Sequence, residues 1–227
     1  MDKPLERFTL DQLLREIKNA ERENRPADLS YKLLPEFSFS EKEINTSLNF
    51  KGSTIQGAVY FDKCTINGNI NFSNCLIYTT LYFDNSQING SLIAKNARIR
   101  EVVNLISSKF KKNIDFEGSK VSGFLGLNKI QVGGNLNLKK VEIFDIETPT
   151  GNIRGDMYLK QAKIGGSVIL EKAFFQGLGD FQETDIDGDF NLKDAQFQGI
   201  LILTGTSVEG ETIAQGLKCK NLIAHLT

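Results

Sequence analysis

The hydrophobic positions of this chain recur with a period of eleven. An isoleucine, valine or phenylalanine stands at Ile44, Ile55, Ile66, Ile77, Ile88, Ile99, Phe110, Val121, Val132 and Ile143, then at Ile153, Ile164, Phe175, Ile186, Phe197 and Val208. These sixteen units share one phase with a single slip, and a fixed period of this kind marks a repeat architecture. Counting the recurring residue as slot 1, slot 3 is glycine in eleven units. Slots 5 and 7 are mostly apolar, as at Ile70/Phe72 and Val168/Leu170, and slot 10 is mostly small, as at Ser53, Cys64, Cys75, Ser86 and Ala97. Slots 10 and 1, and then 5 and 7, alternate with polar neighbours, a period of two that reads as strand and excludes helix. Each unit therefore predicts short strands with slots 10, 1, 5 and 7 inward and one wet face, and the slot-3 glycines are expected to mark turns. A chain that repeats this unit without helices winds into a β-helix whose turns stack at ~4.8 Å.

The unit, A-x-I-x-G-x-L-x-L-x-x, resembles the pentapeptide-repeat proteins. It is similar to their degenerate branch, in which five- and six-residue sides alternate, as in Ala162-Lys163-Ile164-Gly165-Gly166 followed by Ser167-Val168-Ile169-Leu170-Glu171-Lys172. The resemblance covers about residues 44–218 and implies an all-β solenoid, a right-handed, four-sided β-helix in which two units make one turn. Sixteen units then make about eight coils, a rod of about 38 Å. One coil orders two whole units of backbone while burying few large side chains, so stability must come from stacking. Ladders of like residues two units apart, such as Phe50/Phe72 and Phe61/Phe83, would supply it.

The two ends lack the period. In residues 1–43, "TLDQLLREIKNAEREN" predicts a helix that opens on a Thr9-x-x-Gln12 capping box and carries Leu10, Leu13, Leu14 and Ile17 on one stripe. That stripe either caps the first coil or docks a partner, and the residues up to 43 form a linker into the array. Residues 44–218 are the β-helix and 219–227 a closing segment, where Leu217, Leu222, Ile223 and Leu226 either cover the last coil or make a homodimer contact. The slip lies in "IFDIETPTGNI", where Ile143 to Ile153 is one residue short of a full unit. Dropping slot 4 restores the phase, places Ile146, Thr148 and Gly151 in slots 5, 7 and 10, and predicts a bent or irregular side.

Candidate chemistry is sparse. The one histidine, His225, lies near the end of the sequence, where a nucleophile system would have little support. Three cysteines without a CxxC indicate neither a disulfide framework nor a zinc site. The alternating aspartates of "DIDGDFNLKDA" (185–195) suggest a calcium loop, but Phe190 and Gln196 occupy the positions that need glycine and glutamate. No catalytic residue, metal or cofactor is expected. No apolar run approaches a membrane helix in length and "MDKPLERFTL" is not a signal peptide, so a cytoplasmic location without membrane insertion is expected.

Charge is the one property that the repeat leaves free. Lys+Arg 27 against Asp+Glu 28 balance overall, which gives no reason to expect direct nucleic-acid binding. From Lys95 to Lys140, however, ten residues are basic and three acidic, whereas from Glu142 to Glu211 thirteen are acidic and five basic. Residues two units apart should share a face, so Arg98 lies under Lys120, with Arg100 beside them, as a candidate basic face. Asp185, Asp187, Asp189, Glu209 and Glu211 form a candidate acidic face for a basic partner, with Lys163 stacked on Asp185. These features point to a non-enzymatic protein-interaction or scaffold protein whose partner is an unidentified protein or a second copy. The resemblance adds an alternative, protection of a type II topoisomerase (gyrase) by imitation of DNA, against which the basic middle coils argue. A β-helical carbohydrate-active enzyme is a third, weaker alternative.

Overall fold

The computed structural model describes residues 5–224, and His225 and Leu226 lie outside them. The chain forms a β-solenoid of about ten turns preceded by one helix. One turn shows how the repeat folds. Thr54–Ile55, Val59–Tyr60, Thr65–Ile66 and Ile70–Asn71 are four two-residue strands, and Leu76–Ile77 then returns to pair in parallel with Thr54–Ile55. Repeated pairing of this kind builds four stacks of parallel strands, named here first to fourth in that order.

Inward slots align with themselves because each strand pairs with its copy two units on, Ile55 with Ile77 and Ile66 with Ile88. Phe50 and Phe72 stack with centroids 4.8 Å apart, Phe61 and Phe83 at 4.7 Å, and Phe175 and Phe197 at 4.6 Å. These separations equal the strand spacing, so each ring packs on its own copy in the next turn. Slot 10 is small because it carries a second duty inside the coil. Ser86, Ser108, Ser119 and Thr184 are buried, and each hydroxyl donates to a carbonyl in the turn before, those of Phe61, Phe83, Ala94 and Leu159. The Cys75 thiol does the same toward Phe50 at 2.7 Å.

The slot-3 glycines lie in bends between strands, as expected. The left-handed backbone conformation falls mainly at slot 9, where it is held by residues such as Asn74 (φ 58°), Asn85 (φ 56°), Lys129 (φ 59°) and Asp194 (φ 56°), and at slot 3 it is seen at Gly123 (φ 114°). Glycine at slot 3 answers close stacking. A Cβ on Gly90 would overlap the Gly68 carbonyl oxygen, and one on Gly188 would lie 2.7 Å from the backbone of Gly166.

Two irregularities change the coil count from the eight expected. First, the ladder begins at Ala27, because Ala27–Asp28 pairs with Leu48–Asn49, Leu33–Leu34 with Thr54–Ile55, and Phe37–Ser38 with Val59–Tyr60. Only Pro35 and Glu36 stand between Leu34 and Phe37, where Gln56, Gly57 and Ala58 stand between their partners Ile55 and Val59. One residue is missing at that corner, which hides the first turn from an eleven-residue search. Glu6–Arg7 adds a further strand on Lys32–Leu33. Second, the slip is not a short side. Ile143 pairs with Phe175, further along the chain than two units, and residues 145–154 leave the coil around an antiparallel hairpin that pairs Ile146 with Ile153 and Thr148 with Gly151. Gly155 then takes slot 3 after Ile143, so Ile153 is not a slot-1 residue at all.

The helix α1 (Leu10–Arg22) has the full capping box between Thr9 and Gln12. It buries Leu13, Ile17 and Ala20 in the core, whereas Leu10 and Leu14 face outward. Its carboxylates meet the strand ends of the first turn. In the third stack the slot-2 N–H donates to the turn before, as from Asn67 to the Ile44 carbonyl at 2.8 Å. Asn45 has no earlier turn there, and its N–H donates to Glu21 Oε1 at 2.8 Å. Glu16 accepts the Asp28 N–H at 3.0 Å and both terminal nitrogens of Arg25. The hydrogen bond from Arg25, ahead of that from Asp28, holds the Glu16 carboxyl below its ordinary pKa, against the opposing effect of burial.

The hairpin and the helix contacts can each be tested by a single change to the chain. Deleting residues 145–154 joins Phe144 to Gly155 and restores the eleven-residue spacing, so the shortened chain should keep its circular dichroism spectrum and melt within about 4 °C of the parent. A molten or aggregated product would show that the hairpin is needed for the coil. Glu16→Ala should lower stability by about 1–3 kcal/mol in denaturant titration. A carboxylate with a depressed pKa stabilises the fold above its unfolded-state pKa, so the difference between the two chains should shrink as pH falls through the depressed value.

Candidate docking face

Outward polar residues fall into two groups: those consumed by the solenoid and those left over. The largest consumed set is a rail along the fourth stack, built at slot 4. Each backbone N–H donates to the side chain one turn earlier: Asn69 to Ser47 (3.0 Å), Ser91 to Asn69 (2.9 Å), Asn113 to Ser91 (3.3 Å) and Asn135 to Asn113 (2.8 Å). It continues from Ser167 to Asn135 (2.8 Å), Asp189 to Ser167 (3.0 Å) and Glu211 to Asp189 (3.0 Å). The rail needs a short side chain with an acceptor oxygen, which is why slot 4 holds Ser, Asn or Asp there. That restriction appears in the sequence only when alternate units are compared, because neighbouring units contribute slot 4 to different stacks.

The rail divides the expected acidic face. Asp189 and Glu211 belong to the rail, whereas Asp185, Asp187 and Glu209 flank the third stack. Lys163 does pair in register with Asp185, and its Nζ lies 4.0 Å from the carboxylate. With side chains 72% and 54% exposed, that ion pair contributes little. The expected basic residues sit on a different stack, the first. Arg98 is in register with Lys120, the Lys120 ammonium is 2.5 Å from Glu142, and the Arg100 guanidinium lies over the Tyr78 ring at 4.1 Å. Lys120 and Arg100 therefore already have partners within the chain.

What lies below the acidic residues is a second basic pair. Counting the shortened unit as a coil side would align Asp185 with Arg98 and Lys120. Because the hairpin removes that unit from the coil, the alignment moves by half a turn, and the register runs Gln87, Lys109, Gln131, Lys163, Asp185 and Ser207. The slot-2 row beside it is Asn89, Lys111, Gly133, Gly165, Asp187 and Glu209. These two rows bound a shallow trough of about 720 Å³ along the third stack. It is recessed at Gly133 and Gly165, and a Cβ on Gly133 would collide with the Lys111 carbonyl oxygen. Lys109, Lys111, Asp187 and Glu209 form no ion pair among the described residues.

Nucleophilic and metal chemistry have no comparable assembly. Burial pushes the Cys75 thiol up to about 12 and raises that of Cys64, and both thiols donate to carbonyls inside the coil. Among the described residues no group of three His, Cys, Asp or Glu side chains is placed to hold a metal, and no helix is long and apolar enough to cross a membrane. The last turn has Leu222 and Ile223 exposed, at 53% and 43%.

A family model described as pentapeptide repeats, in nine copies, matches residues 50–93. Over that stretch the chain is similar to pentapeptide-repeat proteins, and the stacked parallel coils are those of a repeat β-solenoid. Neither a curated protein nor a solved structure matched it. The matched stretch is where the pattern is most regular, with Ser53, Cys64, Cys75 and Ser86 two residues before Ile55, Ile66, Ile77 and Ile88. It ends before the hairpin and begins after the shortened first turn.

Asp189 tests the division between rail and docking face. Asp189→Asn keeps the acceptor and should leave stability unchanged, whereas Asp189→Ala should cost about 0.5–1.5 kcal/mol and speed amide exchange at Glu211. Equal stability of all three chains would show that the rail contributes nothing.

Proposed function

We propose that this protein is a non-enzymatic interaction scaffold and that the third-stack trough is its docking face. One observation carries the reading: Lys109, Lys111, Asp187 and Glu209 line one trough without ion partners among the described residues, while the slot-4 row of the fourth stack is taken up by the rail and Lys120 by Glu142. A rigid solenoid holds such rows at a fixed spacing, so a partner meets a preorganised surface and little ordering opposes binding. Recognition by charge on an exposed face gives orientation and a fast encounter more than affinity. The partner that fits is a protein surface bearing both signs, acidic over Lys109 and Lys111 and basic over Asp185, Asp187 and Glu209. Imitation of DNA would require one sign along the rod, and the lysines of this face oppose it.

The test compares the parent with a chain carrying Lys109→Ala, Lys111→Ala, Asp185→Ala and Asp187→Ala, each used as bait in extract from the native host. Those side chains are exposed, so the melting temperature should not change while captured proteins are lost. An identical captured set from both baits would remove the trough as the docking face. In a DNA gyrase supercoiling assay the protein should have no effect at micromolar concentration, and protection of the enzyme there would favour the DNA-imitating alternative.

A further inference from the structure

The two ends of the trough carry opposite charge, basic at Lys109 and Lys111 and acidic at Asp185 and Asp187, at equal distances from the level midway between Gly133 and Gly165, with Lys163 the one basic residue on the acidic side. Lys109 and Lys111 stand one level before Gln131 and Gly133, Asp185 and Asp187 stand one level after Lys163 and Gly165, and the Gln87/Asn89 and Ser207/Glu209 levels lie outside them. A face with this order is complementary to itself when turned end for end. We propose that the trough receives a second copy of this chain, antiparallel, about a twofold axis that runs along the strands between the Gly133 and Gly165 levels. The inference rests on the reading of the trough as the docking face and names the occupant.

The geometry follows from the symmetry. A twofold axis parallel to the strands reverses the rod but keeps the slot-11 row opposite the slot-11 row and the slot-2 row opposite the slot-2 row. Lys109 of one copy then meets Asp185 of the other, Lys111 meets Asp187, and Asn89 meets Glu209, each contact occurring twice as an isologous interface requires. At the axis Gly133 faces Gly165, so no side chain from the slot-2 row obstructs the approach, and the long Gln131 and Lys163 side chains of both copies fill the recess. The parallel arrangement is rejected by the same charges, because it sets lysine over lysine and aspartate over aspartate. Six strands at ~4.8 Å give a contact about 24 Å long and about 10 Å wide. That footprint is well below the roughly 800 Å² per partner of a stable interface, so the dimer is weak and held by ion pairs that salt screens.

Sedimentation velocity on the full chain at roughly 0.1 mM should show dimer at about 20 mM NaCl and monomer at about 500 mM NaCl. Lys109→Glu/Lys111→Glu makes both ends of the trough acidic, and Asp185→Lys/Asp187→Lys gives both ends paired lysines, so each variant should be monomeric at low salt. An equimolar mixture of the two should restore the dimer at low salt, because each end of one now faces opposite charge on the other. A parent chain that is monomeric at low salt, variants that dimerise like the parent through another surface such as the last turn, or a mixture that stays monomeric would each overturn the assignment. Should the mixture stay monomeric while the neutralised bait still loses captured proteins, the docking face stands and only its occupant is refuted.

Discussion

Parallel stacking at one strand spacing is the constraint on which this molecule depends. Once Thr54–Ile55 lies on Leu76–Ile77, every other residue of the turn must find its counterpart at the same height, so one register sets both the core and the surface. Inside, this places Phe50 on Phe72 and hydroxyls under carbonyls. Outside, it converts a loose preference for polar residues into continuous rows. The close approach between turns also decides where glycine is needed. At slot 3 a Cβ collides with the turn beneath, whereas at slot 9 the left-handed backbone is held by Asn, Lys and Asp.

Most of the solenoid was legible because it depends on period alone. The inward slots, the phenylalanine ladders, the capping box of α1 and the register of Lys163 with Asp185 all follow from counting residues. What escaped were the places where counting misleads. The segment that leaves the coil is one residue short of a unit, and it carries isoleucines at 146 and 153. These two residues pair with each other outside the coil, yet in sequence they imitate slots 5 and 1. The first turn escaped in the opposite way, since a single missing residue between Leu34 and Phe37 broke the phase while the strands still paired.

The two irregularities differ in consequence. An unrecognised terminal turn lengthens the rod and leaves every other alignment intact. A misread unit in the middle rotates everything after it by half a turn relative to everything before. For that reason the candidate site was only partly legible. The exposure and alignment of Asp185 and Asp187 follow from the repeat, but an unbroken count assigns them companions on the stack of Arg98 and Lys120, where Lys120 is engaged by Glu142 and Arg100 by Tyr78.

The hairpin therefore does more than decorate the solenoid. One turn of basic residues and two of acidic residues could fall on separate stacks and present unrelated patches of one sign each. Ejection of residues 145–154 from the coil, which puts Lys163 directly on Gln131, brings the lysines at 109 and 111 into line with the aspartates at 185 and 187. Gly133 and Gly165, which flank the hairpin in sequence, become neighbours in the stack and keep the middle of the slot-2 row bare. Within a single trough the lysines at 109 and 111 are too far from the aspartates at 185 and 187 for the two pairs to neutralise each other, about 14 Å across three strand spacings, beyond the screening length at physiological salt. A surface that carries the same order of signs in reverse would place acid over Lys109 and Lys111 and base over Asp185 and Asp187 at the same time.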